Sequence, residues 1–100
     1  MGLDASMKIQ HTVVLRLNDG ANADQFLVGA RGLAEIAGVL DFEVLRQVGS
    51  KNDFTHGLSM WFEDQSVYDS YTRHPDHLKF VNDVWLPNVA DFLELDYVRI

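Results

Sequence analysis

From Lys8 to Leu17 the chain alternates, with Ile9, His11, Val13, Leu15 and Leu17 on one side and Lys8, Gln10, Thr12, Val14 and Arg16 on the other. A period of two is that of a strand in a half-buried sheet. After the turn residues Asn18-Asp19-Gly20 the period changes. Phe26, Leu27, Ala30, Leu33, Ala34 and Ala37 recur at spacings of three and four, which predicts a helix opened by the capping pair Asn22 and Gln25 and running to about Ile36. Gly38 ends it. Gly29 and Gly32 each cost a helix about 1 kcal/mol relative to alanine, so both point to close approach of another element.

Alternation returns twice. Leu40 to Val48 sets Leu40, Phe42, Val44 and Val48 against Asp41, Glu43 and Gln47, and Thr55 to Phe62 sets His56, Leu58, Met60 and Phe62 against Gly57, Ser59 and Trp61. The polar run Gly49 to Asp53 turns the chain between them. Asp64 then caps a short helix through Tyr71 with Val67, Tyr68 and Tyr71 facing inward. Pro75 breaks it, and a further helix opening at His77 or Leu78 continues through Val81 and Trp85, fraying near Pro87. A last strand is predicted from Phe92 to Arg99. Strand, helix, strand, strand, helices, strand is the order of an α+β ferredoxin-like sandwich, a four-stranded antiparallel sheet with helices on one side. The other face would carry Thr12, Val14, Leu45, Trp61, Leu95 and Tyr97. So large a half-apolar surface calls for a partner sheet, and two copies stacked face to face would make a dimeric barrel.

Composition narrows the function. One hundred residues, 47% hydrophobic, make one domain, read here as residues 8–100 behind a leader or disordered stretch at 1–7. Eight basic against fifteen acidic residues give a net charge of -7 without a Lys/Arg cluster, so neither nucleic acid nor an anionic membrane is an expected partner. The absence of cysteine fits a reducing compartment, and with no apolar signal core or long apolar run the expected location is the cytoplasm.

The chemistry gathers at Tyr71-Thr72-Arg73-His74-Pro75-Asp76-His77. On an unbroken helix Tyr71 and His77 would point apart; a break lets them converge. A base near neutrality and a hydrogen-bond donor on a carbonyl oxygen are what proton abstraction next to a carbonyl needs, and His77 and Tyr71 fit those roles. The competing reading is structural, the two side chains bonding each other and the backbone groups freed at the corner. His11 and His56, on like faces of strands one and three, are expected to meet inside the subunit, where they would orient a ligand's polar end or form a satisfied core pair. The pocket would be lined further by Val13, Leu15, Phe26, Leu58, Val81 and Trp85. His74 reads as a cap. His74-x-x-His77 lacks the carboxylate or histidine framework of a zinc site, so no metal or cofactor is expected, and haem chemistry has a histidine available but no supporting motif.

The opening His11-Thr12-Val13-Val14-Leu15-Arg16-Leu17, the His56 strand, Tyr71-x-x-His74-Pro75-x-His77 and Asp96-Tyr97 together resemble the stress-responsive dimeric alpha/beta-barrel (Dabb) family over nearly the whole chain. The resemblance implies a homodimeric barrel of ferredoxin-like subunits. In one plant branch, similar to olivetolic acid cyclase, a tyrosine and a histidine matching Tyr71 and His77 fold a linear polyketide by aldol-type condensation, which would make this chain a cyclase-like lyase acting on an apolar carbonyl compound. Arg73 and Asp76 make the motif more charged than in that branch, and Glu94 stands where an apolar lining would be expected. The alternative function is a non-catalytic, stress-associated structural or binding dimer.

Overall fold

A computed structural model describes residues 7–100, so all of the expected leader except Met7 lies outside the described residues. Strand β1 (Ile9–Leu17) leads into helix α1 (Ala23–Arg31), then β2 (Leu40–Arg46), β3 (His56–Phe62), α2 (Gln65–Arg73), α3 (Pro75–Phe80), a π-helical turn (Val81–Trp85), a short α4 (Leu86–Asn88) and β4 (Val89–Tyr97). The strands form one antiparallel sheet in the order β2-β3-β1-β4. This is the ferredoxin-like arrangement that the element order predicts. Among the described residues no helix is long and apolar enough to cross a membrane.

The caps follow the sequence. Asn22 accepts from the Gln25 amide at 3.0 Å and Asp64 from the Val67 amide at 2.9 Å. Gly38 sits at φ +94, and a Cβ there would lie 2.4 Å from Val67 Cγ1, so both its backbone and its neighbour require glycine. Gly29 holds α1 against the π turn, where a Cβ would meet Val84 Cγ1 at 3.2 Å. Gly32 does not share that role, since nothing lies within 4 Å of its Cβ position.

Several boundaries move for physical reasons. The first helix stays α-helical only to Arg31 and tightens into a 3₁₀ turn (Gly32–Glu35), which changes the period and exposes Ala34 and Ala37 while burying Ile36. β2 ends at Arg46, leaving Val48 exposed. α3 begins at Pro75, earlier than His77, because proline is well suited to a first helical position where no amide is needed; His74 caps it, accepting from the Asp76 amide at 3.0 Å. The backbone stays helical through the π turn to Asn88 and β4 starts at Val89, three residues before the expected Phe92. Pro87 has no amide to give an α-helical ladder, and the π turn ends just before it.

The core fills the space between helices and sheet, with Leu15, Phe26, Leu58, Met60 and Phe62 fully buried. Register fixes what faces it. Val13 stands opposite Leu58 and Glu94, and His11 opposite Met60 and Asp96, so Phe92, Glu94 and Asp96 of β4 share the helix-facing side. The other side carries Val14, Leu45, Trp61, Leu93 and Tyr97, and among the described residues no helix or strand is laid over it. There Arg99 caps the Trp61 ring, its guanidinium 4.5 Å from the centroid.

Candidate functional site

The break at Pro75 frees a carbonyl. In an uninterrupted helix the Asp76 amide would reach back to Thr72, but it is taken by His74, and the Thr72 carbonyl accepts from His77 Nδ1 at 3.0 Å. This bond sets the tautomer: Nδ1 carries the proton and Nε2 is left as the acceptor. The same bend packs the His77 ring on Tyr71, with centroids 4.6 Å apart and planes tilted by 45°. Half of the structural reading therefore holds, since His77 does satisfy the corner's backbone. Tyr71 does not join it. The residue is only 3% exposed, yet its hydroxyl bonds to no other described residue. Beside Tyr71 lies a cavity of which it forms part of the wall.

Both side chains line that partly open cavity of about 230 Å³ between the sheet and the helices. His11, Val13, Leu58, Val81 and Trp85 line it too. Leu15 and Phe26 do not; both are buried in the core, Phe26 packing behind the cavity wall against Phe80 and Trp85 with centroids 6.2 and 6.1 Å away. His56 is also outside it. In the β1–β3 register His56 pairs with Leu15 and His11 with Met60, four positions apart, about 13 Å along the strand. The two histidines thus share a face without meeting. His56 sits at the far end of β3 beside Arg46, with Nδ1 2.8 Å from the Thr55 hydroxyl.

His11 has other company. Its Nδ1 lies 2.6 Å from Asp96 Oδ1, while the Tyr68 hydroxyl donates to both Asp96 oxygens at 2.9 and 3.0 Å. One carboxylate thus gathers a histidine from β1 and a tyrosine from α2, and the ring stays 6% exposed with its polar atom satisfied. Asp96 and Tyr68 carry no local signal for this contact, which depends on the β1–β4 register. The remaining wall comes from Leu33, Met60, Phe80, Leu86, Phe92 and Glu94. Val81 and Trp85 stand at the two ends of the π turn, and Asn88 Nδ2 donates to the Val84 carbonyl at 2.8 Å.

The electrostatics divide the polar tips into donors and acceptors. Burial, then the charge of the His11 ring, pull the His77 pKa down, against the opposing pull of the Thr72 carbonyl and Glu94; the net direction is downward, so the ring is neutral near pH 7. Burial and then Glu94 push Tyr71 above the ordinary phenol range, and burial, the Asp96 hydrogen bond and nearby carboxylates do the same to Tyr68. Both tyrosines keep their protons. His56 is also lowered, by burial and then Arg46, with no part played by His11. Among the described residues no cluster of three or more histidine, aspartate or glutamate side chains is arranged to hold a metal ion.

A model of the stress responsive A/B barrel domain family, Dabb, matches residues 9–99. The chain belongs to the Dabb family. This Dabb domain is 29% identical over 98 residues to a stress-response A/B barrel domain-containing protein of Arabidopsis thaliana, covering 93% of the chain but only 37% of that relative's length. Among solved structures, a Dabb family protein with a ferredoxin-like fold from Mesorhizobium loti is 46% identical, with a TM-score of 0.89 over 94% of this chain and 98% of that one. The fold recurs at lower identity. A dimeric ferredoxin-like protein of unknown function from Thermobifida fusca is 20% identical with a TM-score of 0.79, covering 94% and 92%. The hydroxynitrile lyase of Passiflora edulis is 18% identical with a TM-score of 0.85, covering 95% of each chain.

Proposed function

We propose that this Dabb domain is a homodimer whose subunits each bind a small, mostly apolar carbonyl compound, with His77 as general base and Tyr71 as the donor to the carbonyl oxygen. The observation that carries the reading is that His77, held by Thr72 through Nδ1, packs on Tyr71 and both line one cavity. Nε2 can take a proton next to a carbonyl while Tyr71 steadies the enolate oxygen, which is the division of labour of an aldol or cyclase-type step. His11, held by Asp96 and Tyr68, lines the same cavity and orients the ligand. The Passiflora lyase supports the reading to the extent that the same fold hosts a lyase.

A thermal-shift screen of carbonyl compounds on the wild type and His77→Ala tests it. A hit at a hundred times its Kd adds about 2.7 kcal/mol of stability. Turnover of that hit should fall with both His77→Ala and Tyr71→Phe. A ligand that binds and reacts equally well without His77 reduces the histidine to a corner post.

The uncovered sheet face favours a second reading, a binding or structural dimer without catalysis. Val14, Leu45, Trp61, Leu93 and Tyr97 form an apolar patch that a second copy would cover, consistent with the dimeric Thermobifida protein of like fold. Sedimentation at micromolar concentration should give a dimer and Trp61→Glu a monomer, because the substitution replaces an apolar ring at the interface with a charge that must be desolvated. A monomeric wild type would remove the barrel.

A further inference from the structure

Resting on the pocket reading above, the polar end of the cavity goes further and points to a charge class of ligand. No lysine or arginine is among the described residues that line the cavity, and Glu94 is the one carboxylate that does. Asp96 follows two positions on, on the same side of β4, against His11. The cavity therefore offers a donor in Tyr71, acceptors in His77 Nε2 and Glu94, and the His11 ring, itself held by Asp96, with no lysine or arginine in its wall. Its body is hydrocarbon, from Val13, Leu58, Val81 and Trp85.

We propose that this cavity selects uncharged carbonyl compounds that also carry a hydroxyl group, and rejects carboxylates and phosphates, with Glu94 as the residue that sets the preference. A ligand carboxylate has acceptors only, so it would compete for Tyr71 and leave the protein's own acceptors unpaired. It would also shed water to face a like charge with no lysine or arginine in the wall and with His11 already paired to Asp96. A hydroxyl meets the opposite situation, because it donates to Glu94 in a charge-assisted bond while the carbonyl accepts from Tyr71. The reach of Glu94 is visible in the groups around it: its charge acts on Tyr68 and Tyr71 of α2 and on His77 of α3. With a volume of about 230 Å³, the cavity fits a single substituted ring better than an extended chain.

Isothermal titration with acetophenone, meta-hydroxyacetophenone and meta-acetylbenzoate, on the wild type and Glu94→Gln, separates the possibilities. The wild type should bind the hydroxy compound at least about tenfold more tightly than the acetylbenzoate. Glu94→Gln should close most of that gap, leaving acetophenone unchanged, and raised salt should narrow the gap in the wild type. Glu94 is exposed on an edge strand, so the variant is expected to fold, which circular dichroism verifies. Equal binding of the acetylbenzoate by the wild type, or a gap that survives Glu94→Gln, overturns the preference while leaving the cavity as a binding site. Binding of none of the three compounds overturns both. Turnover is not read, so the preference stands or falls apart from the catalytic roles of His77 and Tyr71, which the turnover assay above tests.

Discussion

β3 and β4 flank the same strand, β1, and are built on opposite terms. Every residue of β3 from Gly57 to Met60 is buried, on both faces; every residue of β4 from Ala90 to Glu94 is exposed. β3 lies between β2 and β1 under the helices, whereas β4 is the sheet edge, paired on one side only. The contrast explains where charge is tolerated. A carboxylate on the helix-facing side of β3 would be desolvated, but on β4 Glu94 and Asp96 keep water on one flank while reaching buried groups with the other. The packed strand supplies the cavity's floor and the wet strand its carboxylate.

The sharpest test of that contrast is a pair of matched truncations. Phe62→Ala, which removes a fully buried ring stacked on Tyr68, should cost about 3–5 kcal/mol in urea unfolding. Phe92→Ala removes a ring 49% exposed that meets Trp85 edge-on at 5.4 Å, and should cost about 1–2 kcal/mol. Similar costs would mean that β4 is as firmly packed as β3.

A smaller effect probes the bridge from β4 to the helices. Tyr68→Phe keeps the stacking on Phe62 and deletes only the hydroxyl that donates to Asp96, so unfolding should show a loss of about 1 kcal/mol. Asp96 is half-exposed and water can replace the lost donor. A loss as large as that of Phe62→Ala would show that the carboxylate is drier than the edge position implies.

The smallest effect is a titration. With its folded pKa below the unfolded value of about 6.5, His77 binds fewer protons in the folded protein, so its contribution to stability is complete above about pH 6.5 and fades as pH falls toward the folded midpoint. Histidine NMR should place that midpoint below 6.5. It should fall further in Glu94→Gln, which removes a stabilising charge, and rise in His11→Phe, which removes a competing one. A wild-type midpoint at or above 6.5 would show that the ring is not held neutral by its site.

What could be seen in the sequence was whatever depends on neighbours in the chain. Alternation placed His11, Val13 and Leu58 on the inner face, and the Pro75 break brought Tyr71 and His77 together, because both signals are local. Parity says which face a residue takes but not how far along the strand it sits, and so His56 was expected beside His11, although the register sets it about 13 Å away. Glu94 and Asp96 reach the site through pairing between the first and last strands, which no local pattern encodes. Ala34 and Ala37 were expected inside because a period of 3.6 was carried past the point where the helix tightens.

The π turn at Val81–Trp85 has a consequence for how this wall could be re-engineered. A π turn is an α-helix with one surplus residue, so it acts as a phase shifter: each side chain downstream is rotated by about 100° from where an unbroken α-helix would put it. Removing a single exposed residue from it, such as Asn82, would return the segment to ordinary α-helical hydrogen bonding with Trp85 still on the cavity, because the residue lost and the phase recovered offset each other. In this protein the turn absorbs a surplus residue so that Trp85 still meets the cavity.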